Sequence, residues 1–133
     1  MDAQTIQLVQ DSWEKVLPIS GVAGPLFYKN LFEADPSLRS LFKGNMPDQA
    51  ATLMQMIGAV VGLLTDLDKL IPVLKQLGAR HNGYGVVAAH YGTVGGALLS
   101  TLAQGLGPAF TPEVKDAWTR VYGVMTEVMT SPA

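Results

Sequence analysis

The side chains able to bind a metal ion are few in this sequence. It contains two histidines, His81 and His90, and no cysteine. Without cysteine the chain has no disulfide, no thiolate zinc site, no thiolate-held iron–sulfur cluster and no covalent haem attachment through a C-x-x-C-H motif. A metal would therefore be held by histidine, tyrosine or carboxylate groups. A lone helical histidine is more often a surface or core residue than a ligand, so composition alone does not choose between the two.

Several motif-like strings are better explained by structure than by catalysis. The segment Gly83–Ala88 matches G-x-G-x-x-A, but the preceding strand and the later acidic residue of a dinucleotide site are missing. Asp66 and Asp68 precede a predicted helix, where a carboxylate more often caps than catalyses. The small residues of Gly58–Gly62 favour a close crossing of two helices. Serine does not occur in a G-x-S-x-G nucleophile motif.

A set of polar and apolar side chains is more informative. Gln49 and Leu53 are four residues apart, so both project from the same side of a predicted helix. Tyr28 lies on the preceding long helix, and Phe42 closes the helical turn between the two. His81 follows at the end of a later helical segment. The set combines one imidazole with two hydrogen-bond donors and two large apolar groups.

The elements that carry these residues are predicted to be helices. Apolar positions recur at helical spacing, and no two-residue alternation persists long enough to indicate a strand. The pattern predicts an all-α protein of six or seven helices, and a length of 133 residues predicts a single domain over residues 1–133. The first helix follows Asp2 as its cap and ends at Pro18. Its apolar stripe consists of Ile6, Val9, Trp13, Val16 and Leu17.

Proline and glycine mark the other predicted boundaries. We expect a helix from about Ser20 to Ala34, with Pro25 making its first turn irregular or its start late. Its apolar side consists of Val22, Leu26, Phe27, Leu31 and Phe32. The segment Leu70–His81 contains Pro72 and Gly78, which predict a short helix or one in two pieces. The other predicted elements are a turn from Asp35-Pro36 to near Phe42, and helices from about Pro47 to Leu64, from Ala88 to about Leu106, and after Thr111-Pro112-Glu113.

Charge and hydropathy limit the kinds of partner and the location that we expect for this protein. Nine Lys and Arg against eleven Asp and Glu give a formal net charge of −2, so there is no surplus to neutralise phosphates and nucleic acid is not expected as a partner. The longest apolar stretch, Met56–Leu64, is far shorter than the roughly 18 to 20 residues that span a membrane. The amino terminus lacks the basic and apolar regions of a signal peptide. We therefore expect no membrane insertion and a cytoplasmic location.

Four strings carry a resemblance to a known family: FYKNLFEADPSLRSLF, LIPVLKQLGARH, GVVAAHYGTVG and DAWTRVYGVM. Together they resemble the globins over essentially the whole chain. The resemblance is closest to bacterial single-domain haemoglobins of the Vitreoscilla type, to the Hell's Gate globin and to the globin domains of flavohaemoglobins. It implies the globin fold, with helices packed around haem b. It also implies dioxygen, carbon monoxide and nitric oxide as ligands.

The resemblance assigns the residues nearest to the iron. It makes His81 the proximal ligand and Phe42 the ring wedged against the haem. Tyr28 and Gln49 become the distal polar pair, and Leu53 the distal apolar wall. A phenol or amide hydrogen above bound dioxygen strengthens binding and slows release. Because Gln49 stands where many globins have a distal histidine, the sixth position on the iron is expected to be open or water-bound.

The resemblance also assigns the outer part of the site. Residues that would line the haem or reach a propionate are Leu77, Val86, Val94 and Arg80. Gly24 and Ala50 match small residues where two globin helices cross. In flavohaemoglobins a tyrosine and a glutamate increase electron donation by the proximal histidine, and Tyr91 matches that tyrosine. The glutamate would fall at about Ala133, and Glu127 lies six positions too early, so the electronic coupling is matched only in part.

Two functions follow from the resemblance. The first is reversible dioxygen binding by a carrier or storage haemoglobin. The second is nitric oxide dioxygenation, the oxidation of nitric oxide to nitrate, for which a reductase would be supplied by another protein. A third interpretation is a haem-free or sensory helical module, in which the matching residues serve packing alone.

Overall fold

The computed structural model describes residues 2–41, 46–83 and 88–130, with all their side chains except those of residues 41, 46, 79–83, 88–90 and 130. The six α-helices are α1 (Ala3–Val16), α2 (Ser20–Ala34), α3 (Met46–Gly62), α4 (Leu67–Gly83), α5 (Ala88–Leu106) and α6 (Pro112–Thr130). Short 3₁₀ helices lie at Leu17–Ile19, Pro36–Leu41 and Gly107–Ala109. No strand occurs within these three described ranges, which confirms the all-α prediction.

Local hydrogen bonds explain where several helices begin. The Asp2 carboxylate accepts from the backbone N–H of Thr5 at 2.7 Å and so caps α1, as predicted. The Thr111 hydroxyl accepts from the N–H of Val114 at 3.3 Å, one residue before α6 begins. Ahead of the 3₁₀ helix Pro36–Leu41, the Asp35 carboxylate accepts from the N–H of Ser37 at 3.1 Å. These side chains satisfy backbone donors that have no partner within the helix.

Two prolines are accommodated inside continuous helices. Pro25 lies within α2, and its missing N–H would have bonded to the carbonyl of Gly21, which is an exposed residue. The predicted bounds of α2 are confirmed. Helix α4 likewise continues through Pro72 and Gly78, so the prediction of a short or divided helix is wrong. Pro72 is the sixth residue of α4, and its missing N–H would have bonded to the carbonyl of Asp68, so the helix continues there with one backbone bond fewer.

The core between α1 and α6 is built around two tryptophans. The rings of Trp13 and Trp118 are 6.1 Å apart between centroids, and both side chains are buried. The indole N–H of Trp118 donates to the Ser12 hydroxyl at 2.8 Å. Two side chains predicted for the apolar stripes are instead exposed, Leu17 at 50% and Val22 at 68%. Leu17 follows the last turn of α1 and Val22 lies in the first turn of α2, at the edges of the packed surface.

Helix α2 packs on both α3 and α5. At the α2–α3 crossing, a Cβ added to Gly24 would lie 2.9 Å from the Cβ of Ala50, closer than carbon atoms pack. This close approach confirms the predicted crossing of two small residues. On the other side of α2, the Asn30 amide donates to the Thr101 hydroxyl of α5 at 3.0 Å. Helix α2 is therefore held on both sides.

Helices α3 and α4 follow each other in the chain but are held by different neighbours. Helix α3 packs on α1 and α2, whereas α4 packs on α6. In the described part of the chain, α3 and α4 do not pack closely against each other. None of the helices in the described residues has the length and hydropathy needed to cross a membrane.

Candidate functional site

Tyr28 places a buried phenol on α2, one turn after the Gly24–Ala50 crossing. Its side chain is 7% exposed, and burial raises the pKa of the phenol above its ordinary value of 10.0. Its ring meets Phe27 edge-on at 5.3 Å between centroids and lies 5.9 Å from the ring of Phe32. A phenol held in this way stays protonated at neutral pH and keeps a hydrogen to donate.

Gln49 and Leu53 lie on α3 on either side of the position that crosses α2. Both are half-buried, and Leu53 packs against the core. Gln49 precedes Ala50 directly, and Leu53 follows Ala50 by three residues, so the crossing controls where both stand relative to α2. The structure thus confirms that Gln49 and Leu53 share a helix and that this helix is pinned next to the one that carries Tyr28.

Leu77 and His81 occupy the last part of α4. Leu77 is half-buried and packs against the core, and His81 follows it by one helical turn. Gly78 lies against the backbone of Met129 in α6, where an added Cβ would come within 2.8 Å of the Met129 carbonyl carbon. The α4–α6 crossing therefore lies within one turn of His81. The backbone at Arg80 is helical too, but the side chains of Arg80 and His81 are outside the part of the chain that the structure describes.

Val94 adds a third apolar surface from α5. It is half-buried and packs against the core, as Leu53 and Leu77 do. Partly buried apolar side chains thus lie on three helices, and a buried phenol lies on a fourth. This combination fits haem, a large apolar plate whose bound ligand needs a hydrogen-bond donor.

Two tyrosines meet where α5 packs on α6. Tyr91 is buried, and burial raises the pKa of its phenol. The Tyr122 hydroxyl donates to the backbone carbonyl oxygen of Tyr91. Burial raises the pKa of Tyr122 to about 12, against smaller lowering effects from hydrogen bonds with Thr126 and the backbone of Gly95. The sequence alone does not predict this contact, because the helical spacing of Tyr122 identifies it only as part of an apolar stripe.

Two predicted site residues, Phe42 and Val86, lie outside the described residues. The assignments of the haem-facing ring and of one lining position therefore stay predictions. So do the side-chain roles of His81 and Arg80. Among the residues that the structure does describe, no group of three or more histidine, aspartate or glutamate side chains is placed to hold a metal ion.

Comparisons with known proteins agree with this architecture. The sequence profile of the Globin family matches residues 26–129. A neuroglobin of Danio rerio is 33% identical over 137 aligned residues, which cover 92% of this chain and 86% of that protein. A flavohemoprotein of Bacillus subtilis is 28% identical over 130 residues, which cover 96% of this chain but only 33% of that longer protein.

A solved structure extends the likeness to three dimensions. It is a carbene transferase engineered from a Rhodothermus marinus protein described as a nitric oxide dioxygenase. It superposes with a TM-score of 0.86 at 27% sequence identity, covering 98% of this chain and 91% of that one. With the matching family profile over most of the chain, these findings show that this protein belongs to the globin family.

Proposed function

We propose that this globin binds haem b through His81 and binds dioxygen reversibly, with Tyr28 and Gln49 stabilising the bound gas. Globins bind haem, and the half-buried apolar surfaces of Leu53, Leu77 and Val94 suit its faces. When bound, haem would supply the iron that takes up the diatomic ligand. Within this proposal Phe42 packs on the haem, Val86 lines it and Arg80 pairs with a propionate.

The buried phenol of Tyr28 is the observation that carries the proposal. A diatomic ligand gains negative charge on its outer atom when it binds, and a donated hydrogen stabilises that charge. Burial raises the pKa of the phenol above an ordinary value that already leaves it protonated at neutral pH, and the contacts with Phe27 and Phe32 limit its motion. Gln49, half-buried on the neighbouring helix, carries an amide N–H₂ as a second donor.

The first experiment tests the cofactor. Purified protein mixed with haem should show a Soret absorption band, and His81→Ala should lose or shift that band because the axial ligand is gone. A protein that acquires no Soret band, or a variant whose band is unchanged, would show that the haem assignment is wrong.

The second experiment tests the distal donor. Tyr28→Phe keeps the ring and removes the hydroxyl, so the dioxygen dissociation rate should rise about tenfold or more, the factor that a hydrogen bond to a charged group supplies. Thr101→Val is the matched control, since it removes a buried hydroxyl that bonds to Asn30 on the same helix as Tyr28. An equal change in both variants, or an unchanged rate in Tyr28→Phe, would remove Tyr28 from ligand binding.

A second candidate function is nitric oxide dioxygenation. It is favoured by the likeness to the Rhodothermus marinus protein and to a flavohemoprotein, whose names describe or suggest redox activity. Each conversion of nitric oxide and dioxygen to nitrate needs one electron, which a separate reductase would supply. Sustained nitrate production with a reductase would favour this function, whereas one conversion per protein would favour the oxygen-binding function.

A further inference from the structure

An exposed arginine lies over a ring that contacts Tyr28. The central carbon of the Arg39 guanidinium is 5.5 Å from the centroid of the Phe32 ring. The Phe32 ring is in turn 5.9 Å from the ring of Tyr28 between centroids, with 30° between the two ring planes. Arg39 is exposed, Phe32 is half-buried and Tyr28 is buried. The three side chains therefore form a continuous row of contacts from the solvent to the buried phenol.

The 3₁₀ helix that follows α2 brings Arg39 back onto Phe32. At its start, the Asp35 carboxylate accepts from the N–H of Ser37 at 3.1 Å and from the Ser37 hydroxyl at 2.6 Å. Leu38, the residue before Arg39, is 2% exposed and belongs to the core. The backbone that carries Arg39 is thus fixed by a cap at its start and by a buried side chain beside it.

The ring of Phe32 is the partner that the structure gives to this guanidinium. Among the described residues, no carboxylate forms an ion pair with Arg39, and the nearby Asp35 carboxylate accepts from Ser37 instead. A guanidinium over an aromatic ring is attracted by the negative face of the ring, and this attraction persists at exposed sites. Since Phe32 is only half-buried, a side chain that covers its ring also restricts the motion of that ring.

We propose that Arg39 is a positioning residue for the distal side of the site, acting through Phe32 on Tyr28. The proposal rests on the function proposed above, in which the Tyr28 hydroxyl donates to bound dioxygen. A hydrogen bond weakens when its angle departs from linearity, so a small rotation of the phenol weakens the bond that it donates. By holding Phe32 against Tyr28, Arg39 keeps the phenol in its donating orientation and slows release of the gas.

The first measurement is the dioxygen dissociation rate of the haem protein. Arg39→Met keeps a long side chain and removes the cation, so the rate should rise about two- to fivefold, the range for one cation–π contact at an exposed site. Arg39→Lys keeps a cation without the planar guanidinium and should give a rate between those of the wild-type protein and Arg39→Met. Lys29→Met is the matched control, since it removes an exposed positive charge next to Tyr28 in sequence and should leave the rate unchanged.

Two further measurements separate positioning from a general loss of stability. In the carbon monoxide complex of the ferrous haem protein, the C–O stretching frequency should rise in Arg39→Met, because a weaker hydrogen bond draws less negative charge onto the ligand. In the full chain without haem, urea titration should show that the stability losses of Arg39→Met and Phe32→Leu do not add in the double variant, because both changes remove the same contact.

The proposal is overturned if Arg39→Met leaves the dissociation rate and the stretching frequency unchanged, or if Lys29→Met changes them equally. It is also overturned if the two stability losses add fully, or if Arg39→Met still raises the rate in a Tyr28→Phe background. If Tyr28→Phe raises the rate and Arg39→Met does not, the distal donor stands and this inference alone is wrong. If Tyr28→Phe itself leaves the rate unchanged, the donor role of Tyr28 is wrong and this inference falls with it.

Discussion

Substituting Gly78 by alanine tests whether the α4–α6 crossing controls the proximal side of the site. An added Cβ would lie 2.8 Å from the carbonyl carbon and 2.9 Å from the Cα of Met129. Carbon atoms pack at about 3.5 to 4.0 Å, and the Met129 carbonyl oxygen would lie even closer to the added Cβ than its carbon does, so the two backbones must separate by at least roughly 0.7 Å. Backbone atoms cannot rotate away as a flexible side chain can, so the strain falls on the crossing itself.

The expected loss of stability combines two opposing effects. Overpacking of a tight contact costs about 1 to 3 kcal/mol, while replacing a mid-helix glycine by alanine gains about 0.5 to 1 kcal/mol. We expect Gly78→Ala to lower the free energy of unfolding by about 1 to 2 kcal/mol. For a chain of this length, that loss corresponds to a fall in Tm of about 4 °C per kcal/mol. Urea titration followed by far-ultraviolet circular dichroism measures the free energy directly.

Gly123→Ala is the matched control. Gly123 lies inside α6, is exposed, and has nothing within 4 Å of an added Cβ. Alanine there should raise the free energy of unfolding by about 0.5 to 1 kcal/mol. If Gly78→Ala is as stable as the wild-type protein, or if both variants are stabilised, the inferred backbone contact does not exist.

The same pair of variants probes the site, because α4 carries Leu77 and His81. Separation at the crossing moves this part of α4, so haem should be lost faster from Gly78→Ala than from the wild-type protein. Gly123→Ala should lose haem at the wild-type rate. A stability loss without a change in haem release would place the strain in α6 alone.

Three further predictions concern hydrogen bonds and titrating groups. Ser12→Ala should lower the free energy of unfolding by about 1 to 3 kcal/mol in the same denaturation assay, since it leaves the buried indole N–H of Trp118 without its acceptor. Thr119→Ala removes an exposed hydroxyl that bonds within its own helix, so it should change the free energy of unfolding little. Hydrogen bonds with Thr5 hold the pKa of the Asp2 carboxyl below its usual range, so the carboxylate stabilises the fold at neutral pH and this effect is lost as pH falls. The Tm difference between the wild-type protein and Asp2→Ala should shrink between about pH 6 and about pH 3. Burial raises the pKa of Tyr122 from 10.0 to about 12, so between these pH values the folded protein keeps a proton that the unfolded chain has lost. The free energy of unfolding, measured at each pH, should therefore fall as pH rises from 10 to about 12, and it should fall less steeply in Tyr122→Phe.

Local sequence signals were sufficient for most of the helix boundaries. The Asp2 cap, the Asp35-Pro36 turn and the Thr111-Pro112 start all act within a few residues of chain, and the structure confirms each of them. The wrong prediction of a short or divided α4 arose because the contact that explains Gly78 is distant in sequence. Gly78 reads as a helix breaker from its neighbours in sequence, but its reason is the backbone of Met129, 51 residues further along. A tertiary contact at that separation leaves no local signal.

The candidate site residues likewise divide into those that the sequence indicates and those that depend on tertiary contacts. Spacing alone places Gln49 and Leu53 on one side of a helix, and the resemblance to globins adds Tyr28, Leu77 and other positions. Neither source identifies Tyr122, because a tyrosine in an apolar stripe is ordinarily core. The pairing of its ring with Gly95 depends on how α6 lies across α5, and two adjacent glycines look alike in sequence although only one of them meets the ring.

The two walls of the proposed pocket are each positioned by a contact outside it. Helix α3, with Gln49 and Leu53, is held against α2 at Gly24, and α4 is held against α6 at Gly78. Since α3 and α4 do not pack closely on each other in the described part of the chain, the space between them depends on these separate crossings. A methyl group added at Gly24 should therefore disturb the distal wall and the dioxygen dissociation rate, while one at Gly78 should disturb the proximal wall and haem retention. The same substitution at two crossings thereby separates the two sides of the site without touching any residue that faces the ligand.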